Sequence, residues 1–363
     1  MRGRATPAAL ALGLMAMTSL GCSEEQTVPE ATPTESSQTP SPSLPTDTSL
    51  LRYVSPTGND AGPGTVDRPW RTLAFAFHRL YQKQVLLVRG GIYHGSIHRV
   101  GLHDGAPGAP ITVLAYPGEN PVLAGTVSLN RPRYWLIDNL DVTGDRSPTG
   151  EDPRFMVKVV GGHSWTWQNS EFSDTVGSAN VLITGWGMDE PWGFRFTGNC
   201  LHGLPEPPMS STNLFLGAMG PVAGGVLARN VVFNTDDQPN VTIGSGAGAP
   251  VRVKLRFNTI YGGSLGIDVR GHPHRVRISR NIVGGNPRAP AMIRFHLGDP
   301  RGTIVSNNVA VDAFQLFRPK VSDNVHGSGN LILRQDPEFV DTSRCDGYSS
   351  GLDAMIAYGA DAL

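Results

Sequence analysis

TGNCLH (197–202), ARNVVF (228–233), RFNTIY (256–261), SRNIVG (279–284), SNNVAV (306–311) and SGNLIL (328–333) each set one asparagine between two short β-rich runs. IDNLDV (137–142) and WQNSEF (167–172) carry the same signature upstream. The series therefore reads Asn139, Asn169, Asn199, Asn230, Asn258, Asn281, Asn308 and Asn330, at intervals of 30, 30, 31, 28, 23, 27 and 22 residues. Spacing of roughly 20–30 residues is what one coil of a parallel solenoid requires. A coil of three short strands cannot bury its inward face alone. Stacking does so, with each strand bonded to its equivalents above and below at ~4.8 Å. The pattern predicts an all-β chain, a single-stranded right-handed parallel β-helix of about eight coils. Asparagine suits the bend because it tolerates the left-handed backbone and its amide can satisfy backbone groups and bond its stacked neighbours. The eight are expected to form a scaffold ladder from Asn139 to Asn330.

Composition agrees. The chain has 363 residues with 44 Gly, 29 Pro and 17% charged residues, a mix that suits many short strands and turns. The formal net charge of −1 supplies no field to attract nucleic acid. Lys83, Lys158, Lys254 and Lys320 are the only lysines. A monomer is the expected state. Of the three cysteines, Cys22 is the natural odd one out; Cys200 and Cys345 are either a pair or two separate buried thiols.

Residues 1–21 read as a secretory signal, with Arg2 and Arg4 before a short apolar run at 8–17. That run is too short for a permanent span. Ser19-Leu20-Gly21-Cys22 resembles a bacterial lipobox, with Ser19 where that pattern prefers leucine. The resemblance implies lipidation at Cys22, and Ser23 is compatible with an outer-membrane address. The alternative is ordinary secretion with cleavage nearby. Residues 22–50 lack large apolar side chains over most of their length and are expected to be a disordered tether. The body is placed at 51–341, with 342–363 as a C-terminal cap.

RYVSPTGNDAGPG (52–64) opens the body, and Leu73, Phe77 and Leu80 share one helical face, which predicts a short helix over 70–81. The strand Val85–Val88 follows. This run, Tyr53 to Tyr93, resembles the opening module of secreted pectate-lyase-like β-helix proteins, where a Tyr-Val-Ser-Pro-x-Gly-x-Asp strand and a helix cap the first coil. The resemblance is specific for the superfamily and not for an activity.

On such a scaffold, chemistry sits on outward side chains. A strand ahead of each ladder asparagine aligns across coils, and its alternation sends Thr242, Asp268, Arg270, Arg294, His296, Gln315 and Phe317 outward. Asp268 is predicted above Arg294, and Arg270 above His296, with Phe317 at one edge and Lys158 earlier on the same face. Arg, His and carboxylate beside aromatics are what a groove for an acidic polysaccharide needs. For a lyase, Arg270, Arg294 or His296 is the candidate base, with Asp268 as a fourth site residue. Asp236 and Asp237 are candidate Ca²⁺ ligands, and Trp186 and Trp192, in one longer turn, are candidate sugar stackers. The bland readings are cross-strand charge pairs on a solvated face, a polar turn and a loop anchor. The calcium cluster and catalytic lysine of pectate lyases are not recognisable in this chain, and neither is the full polygalacturonase pattern. The expected function is binding, with lyase-type cleavage favoured over hydrolysis, of acidic polysaccharide at the cell surface. The alternative is a non-catalytic glycan-binding, adhesive or structural envelope protein.

Overall fold

The computed structural model describes residues 42–333, apart from 145–154, 176, 204–211, 234–237, 245–250, 272, 285–290, 297–301, 312–314 and 317–324. The chain is a right-handed parallel β-solenoid. Strands of three residues or more recur in three parallel sheets of eleven, ten and eight members, which the chain visits in that order, coil after coil, from Val85–Val88 to Val309–Val311. The eight strands of the third sheet, Ile97–Gly101 to Ile293–Phe295, are separated by seven full turns. A single continuous core of Val, Ile, Leu and aromatic side chains runs through the coils. It holds Trp135, Trp167, Phe172, Phe194 and Phe196, each 2% exposed or less.

The helix is shorter than the spacing predicts. It spans Leu73–Arg79, because Trp70 is held in a bridge to Val54 and Leu80 is already extended. Thr72 caps it, its hydroxyl accepting from Phe75 N at 3.2 Å, and Asp60 in turn holds Thr72. Leu73, Ala76 and Phe77 are buried, and Phe77 stacks on Trp135 at 5.5 Å.

The ladder also differs from expectation at one end. Six asparagines form it: Asn199, Asn230, Asn258, Asn281, Asn308 and Asn330. The backbone N–H of each of the first five donates to the side-chain oxygen of the next at 3.0 Å. Each amide nitrogen also donates to a carbonyl in an earlier coil, such as Leu227 O from Asn258 at 3.0 Å. Asn139 and Asn169 sit one position earlier, at the left-handed residue of the bend (φ 54° and 53°). That place is taken in later coils by Gly198, Arg229, Phe257, Arg280, Asn307 and Gly329. The ladder position itself is held there by Leu140 and Ser170, whose hydroxyl accepts from Leu140 N at 3.0 Å. The two talents of asparagine at a bend are thus divided between neighbouring residues.

A second ladder lies at the entry to the third sheet. Asn180 Nδ2 donates to Asn213 Oδ1 at 2.7 Å, and Asn213 Nδ2 to Asn240 Oδ1 at 2.9 Å, all three buried. The repeated Asn-Val/Leu-x-Ile/Leu of ANVLIT (179–184), TNLFLG (212–217) and PNVTIG (239–244) carries its signal.

The outer face of the second sheet carries a smaller apolar cluster of Cys200, Phe233, Ile282, Val309 and Val311. Cys200 is disulfide-bonded, which decides against a free thiol there; Cys22 and Cys345 lie outside the described residues.

Candidate functional site

One row of outward side chains crosses the third sheet. Ser128, Lys158, Leu182, Phe215, Thr242, Asp268 and Arg294 are successive register partners on seven adjacent strands. Asp268 points outward because Ile267 and Val269 on either side are in the core, 0% and 1% exposed. The next row brings Arg270 and His296 alongside. The four therefore meet on one face, as the alternation predicts.

Their arrangement is not the solvated charge row of the bland reading. The Asp268 side chain is 0% exposed, whereas Arg270, Arg294 and His296 remain 37%, 45% and 43% exposed. Asp268 Oδ2 accepts from Arg270 Nε at 2.7 Å and from Arg294 Nη2 at 2.9 Å. Oδ1 accepts from Arg294 Nε at 3.1 Å and faces His296 Nε2 at 3.1 Å. Burial pushes the Asp268 carboxyl up, but hydrogen bonds from Arg294 and Arg270 outweigh it and hold the group below its ordinary value. One negative charge set against two guanidinium groups leaves the cluster at +1 with His296 neutral. It is a cationic face organised by a carboxylate that solvent does not reach. Such a face recognises anions through guanidinium N–H groups already fixed in place.

Lys158 lies on the same row but four strand spacings away, about 19 Å along the axis, and does not join the cluster. Trp186 and Trp192 do not share one loop. Trp186 opens a tight turn closed by Asp189 and is 63% exposed. Trp192 instead begins the first-sheet strand Trp192–Thr197. Its ring stacks on His163 at 4.4 Å, His163 in turn meeting the edge of Tyr134 at 5.2 Å. His163 gives no signal in the sequence, because its register against Trp192 depends on coil length. Phe317, Asp236, Asp237 and Cys22 lie outside the described residues. Among the described residues no group of three or more His, Cys, Asp or Glu is placed to hold a metal ion.

A second titratable group faces out from the second sheet. Asp141 Oδ1 accepts from Glu171 N at 2.8 Å, and Glu171 Oε1 meets His202 Nε2 at 2.9 Å. Burial, joined by the Glu171 charge, pushes Asp141 up to about 6 against the pull of that hydrogen bond. A carboxyl raised above its unfolded value stabilises the fold fully below the unfolded value, and the contribution is lost as pH rises through about 6. Asp141→Asn is therefore expected to match the native chain near pH 4 and to exceed it in urea midpoint at pH 7. Identical pH profiles for the two would show that Asp141 ionises normally.

Fold and site together define a parallel β-solenoid with a carboxylate-organised cationic face. No family model matches the chain. Its structural neighbours come from the pectate lyase and related β-helix families. The complex of XylC with xylose matches with a TM-score of 0.56 at 10% identity, over 74% of this chain and 70% of that one. Pectate lyase Pel9A matches with a TM-score of 0.54 at 14% identity, over 79% and 78%. In sequence, the chain is 40% identical over 73 residues to uncharacterized protein YwoF of Bacillus subtilis (strain 168). It is 32% identical over 73 residues to pectate lyase PEL9 of Emericella nidulans. These stretches are 20% of this chain and only 15% and 18% of those proteins, so the chain spans less than a fifth of the length of the curated relatives it matches.

Proposed function

We propose that the chain is an exported β-helix that binds the carboxylates of an acidic polysaccharide at Arg270 and Arg294 and cleaves the chain by β-elimination. The observation that carries this reading is the buried Asp268 carboxylate, which fixes both guanidinium groups in place while leaving each partly open to solvent. Neutralising a uronate carboxylate acidifies the proton on the adjacent carbon. His296 is the one group of the cluster that can take that proton near neutral pH. With Nε2–H turned to Asp268, its Nδ1 is left as the base, the carboxylate setting the tautomer. The bond from the next ring carbon to the glycosidic oxygen breaks as the alkene forms, and the departing oxygen takes a proton from solvent water. Solved neighbours that are named for a lyase and for a xylose complex support a carbohydrate partner.

The test is incubation of purified protein with a panel of uronate polymers, with and without Ca²⁺, following the ultraviolet absorbance of the conjugated alkene alongside reducing ends. Alkene formation that is lost in His296→Ala is the expected result. Ca²⁺ dependence would bring Asp236 and Asp237 into the mechanism. Reducing ends without alkene would replace elimination by hydrolysis. The second reading, binding without cleavage, is favoured by both arginines being turned to one carboxylate partner, which leaves a single titratable base. Binding without product from any polymer would establish it.

The proposal extends to the cell surface: Cys22 carries the lipid, and residues 23–49 tether the body to the membrane. Fatty-acid labelling of the native chain but not of Cys22→Ser is the expected outcome. Equal labelling of both would sink the anchor.

A further inference from the structure

The row that carries Trp192 has a missing member. Arg133, His163 and Trp192 are bridge partners on three successive coils, and His163 and Trp192 stack nearly parallel, at 15°. The register partner of Trp192 on the next coil is Gly224. A Cβ built on Gly224 meets nothing closer than Arg252 O at 3.8 Å, so among the described residues the space that a side chain would take there is open. Its neighbour Gly225 is different: a Cβ there would strike the buried Phe194 ring at 2.2 Å, so that glycine is required by the core. One coil further on, Arg252 faces solvent. Two residues, Ala223 and Gly224, stand opposite it where the register shifts. Arg252 makes no side-chain hydrogen bond or ion pair among the described residues.

Among the described residues, the free face of Trp192 therefore looks across an unfilled level one strand spacing deep, ~4.8 Å, and Arg252, without a side-chain partner among those residues, stands two spacings away. One spacing is the thickness of a ring stacked on an aromatic, as the 4.4 Å contact of His163 with the other face of Trp192 illustrates. We propose that this gap is a subsite for a single pyranose ring. The apolar face of the sugar stacks on Trp192 above Gly224, and its carboxylate pairs with Arg252. Aromatic rings suit the role because they give a large rigid surface at little entropic cost. The subsite is separate from the Asp268 cluster but close to it in the fold. Arg252 opens the coil that Asp268 closes, and Trp192 lies two coils earlier, two strand spacings or about 10 Å along the axis from Arg252. The inference deepens the acidic-polysaccharide reading, yet the stacking half of it stands without that reading.

Titration calorimetry with tetragalacturonate and with neutral xylotetraose tests it. Gly224→Phe fills the level from a position with open space and a backbone that any residue adopts, and Trp192→Ala removes the platform from an exposed site. Each is expected to weaken tetragalacturonate binding about tenfold or more with an unchanged thermal midpoint. Arg252→Ala is expected to weaken the acid and leave xylotetraose unaffected. Native-like binding by both Gly224→Phe and Trp192→Ala would overturn the subsite, even where Arg294→Ala abolishes binding and so upholds the Asp268 cluster. Loss in these two variants with none in Arg294→Ala would uphold the subsite and remove the cluster instead. No binding of either probe by the native chain would overturn the assignment to a pyranose.

Discussion

Asn258→Ala is expected to destabilise the solenoid by about 3–5 kcal/mol, read as a fall in urea midpoint with little change in slope. Asn258 lies mid-ladder and is 3% exposed. Its oxygen accepts from Asn230 N at 3.0 Å and from Asn230 Nδ2 at 2.9 Å. Its amide donates to Leu227 O at 3.0 Å and to Asn281 Oδ1 at 2.8 Å. Alanine leaves the Asn230 N–H and an Asn230 amide proton buried without partners, each at a cost of about 1–3 kcal/mol, and takes from the Leu227 carbonyl one of its donors. Asn139, which shares the sequence signature, is the contrast. It occupies the left-handed position, so Asn139→Ala is expected to cost about 1 kcal/mol and Asn139→Gly almost nothing. Equal losses at 139 and 258 would contradict the division between bend and ladder.

Asp268→Asn is the second large effect. It removes the buried charge that holds two guanidinium groups and faces an imidazole, and the expected loss is about 3–5 kcal/mol at neutral pH. Arg294→Ala should cost less, because Asp268 keeps Arg270 and His296. The pH dependence follows from the lowered value of Asp268. A carboxyl held below its unfolded value contributes fully above that value, near about 4, and the contribution disappears as pH falls through the lower folded value. The gap between native and Asp268→Asn stability should therefore be widest at neutral pH and close in acid. A gap that widened in acid would mean that Asp268 is protonated in the fold.

Much of the fold was legible because each coil repeats one physical requirement. The intervals between asparagines gave the coil length, and period-two alternation placed Asp268, Arg270, Arg294 and His296 on one face. The register of Asn139 and Asn169 was not legible. Bend and ladder positions are adjacent, and asparagine is at home in both. Alternation reports the face of a residue and not its depth, so nothing marked Asp268 as buried beneath its own arginines. The Trp192–Gly224 gap was hidden because a register partner across coils of unequal length cannot be counted along the chain. Lys158 does lie earlier on the same row, but sharing a row says nothing of how many coils intervene, so its distance from Asp268 was not legible.

The most direct test of the central claim is titration of the native chain with a uronate oligosaccharide and with its methyl ester, each repeated on Arg270→Ala/Arg294→Ala. Binding of the free acid, lost on esterification and lost again in the double variant, is what the Asp268-organised face predicts. Ester and acid bound alike by the native chain, or acid bound undiminished by the double variant, would contradict it.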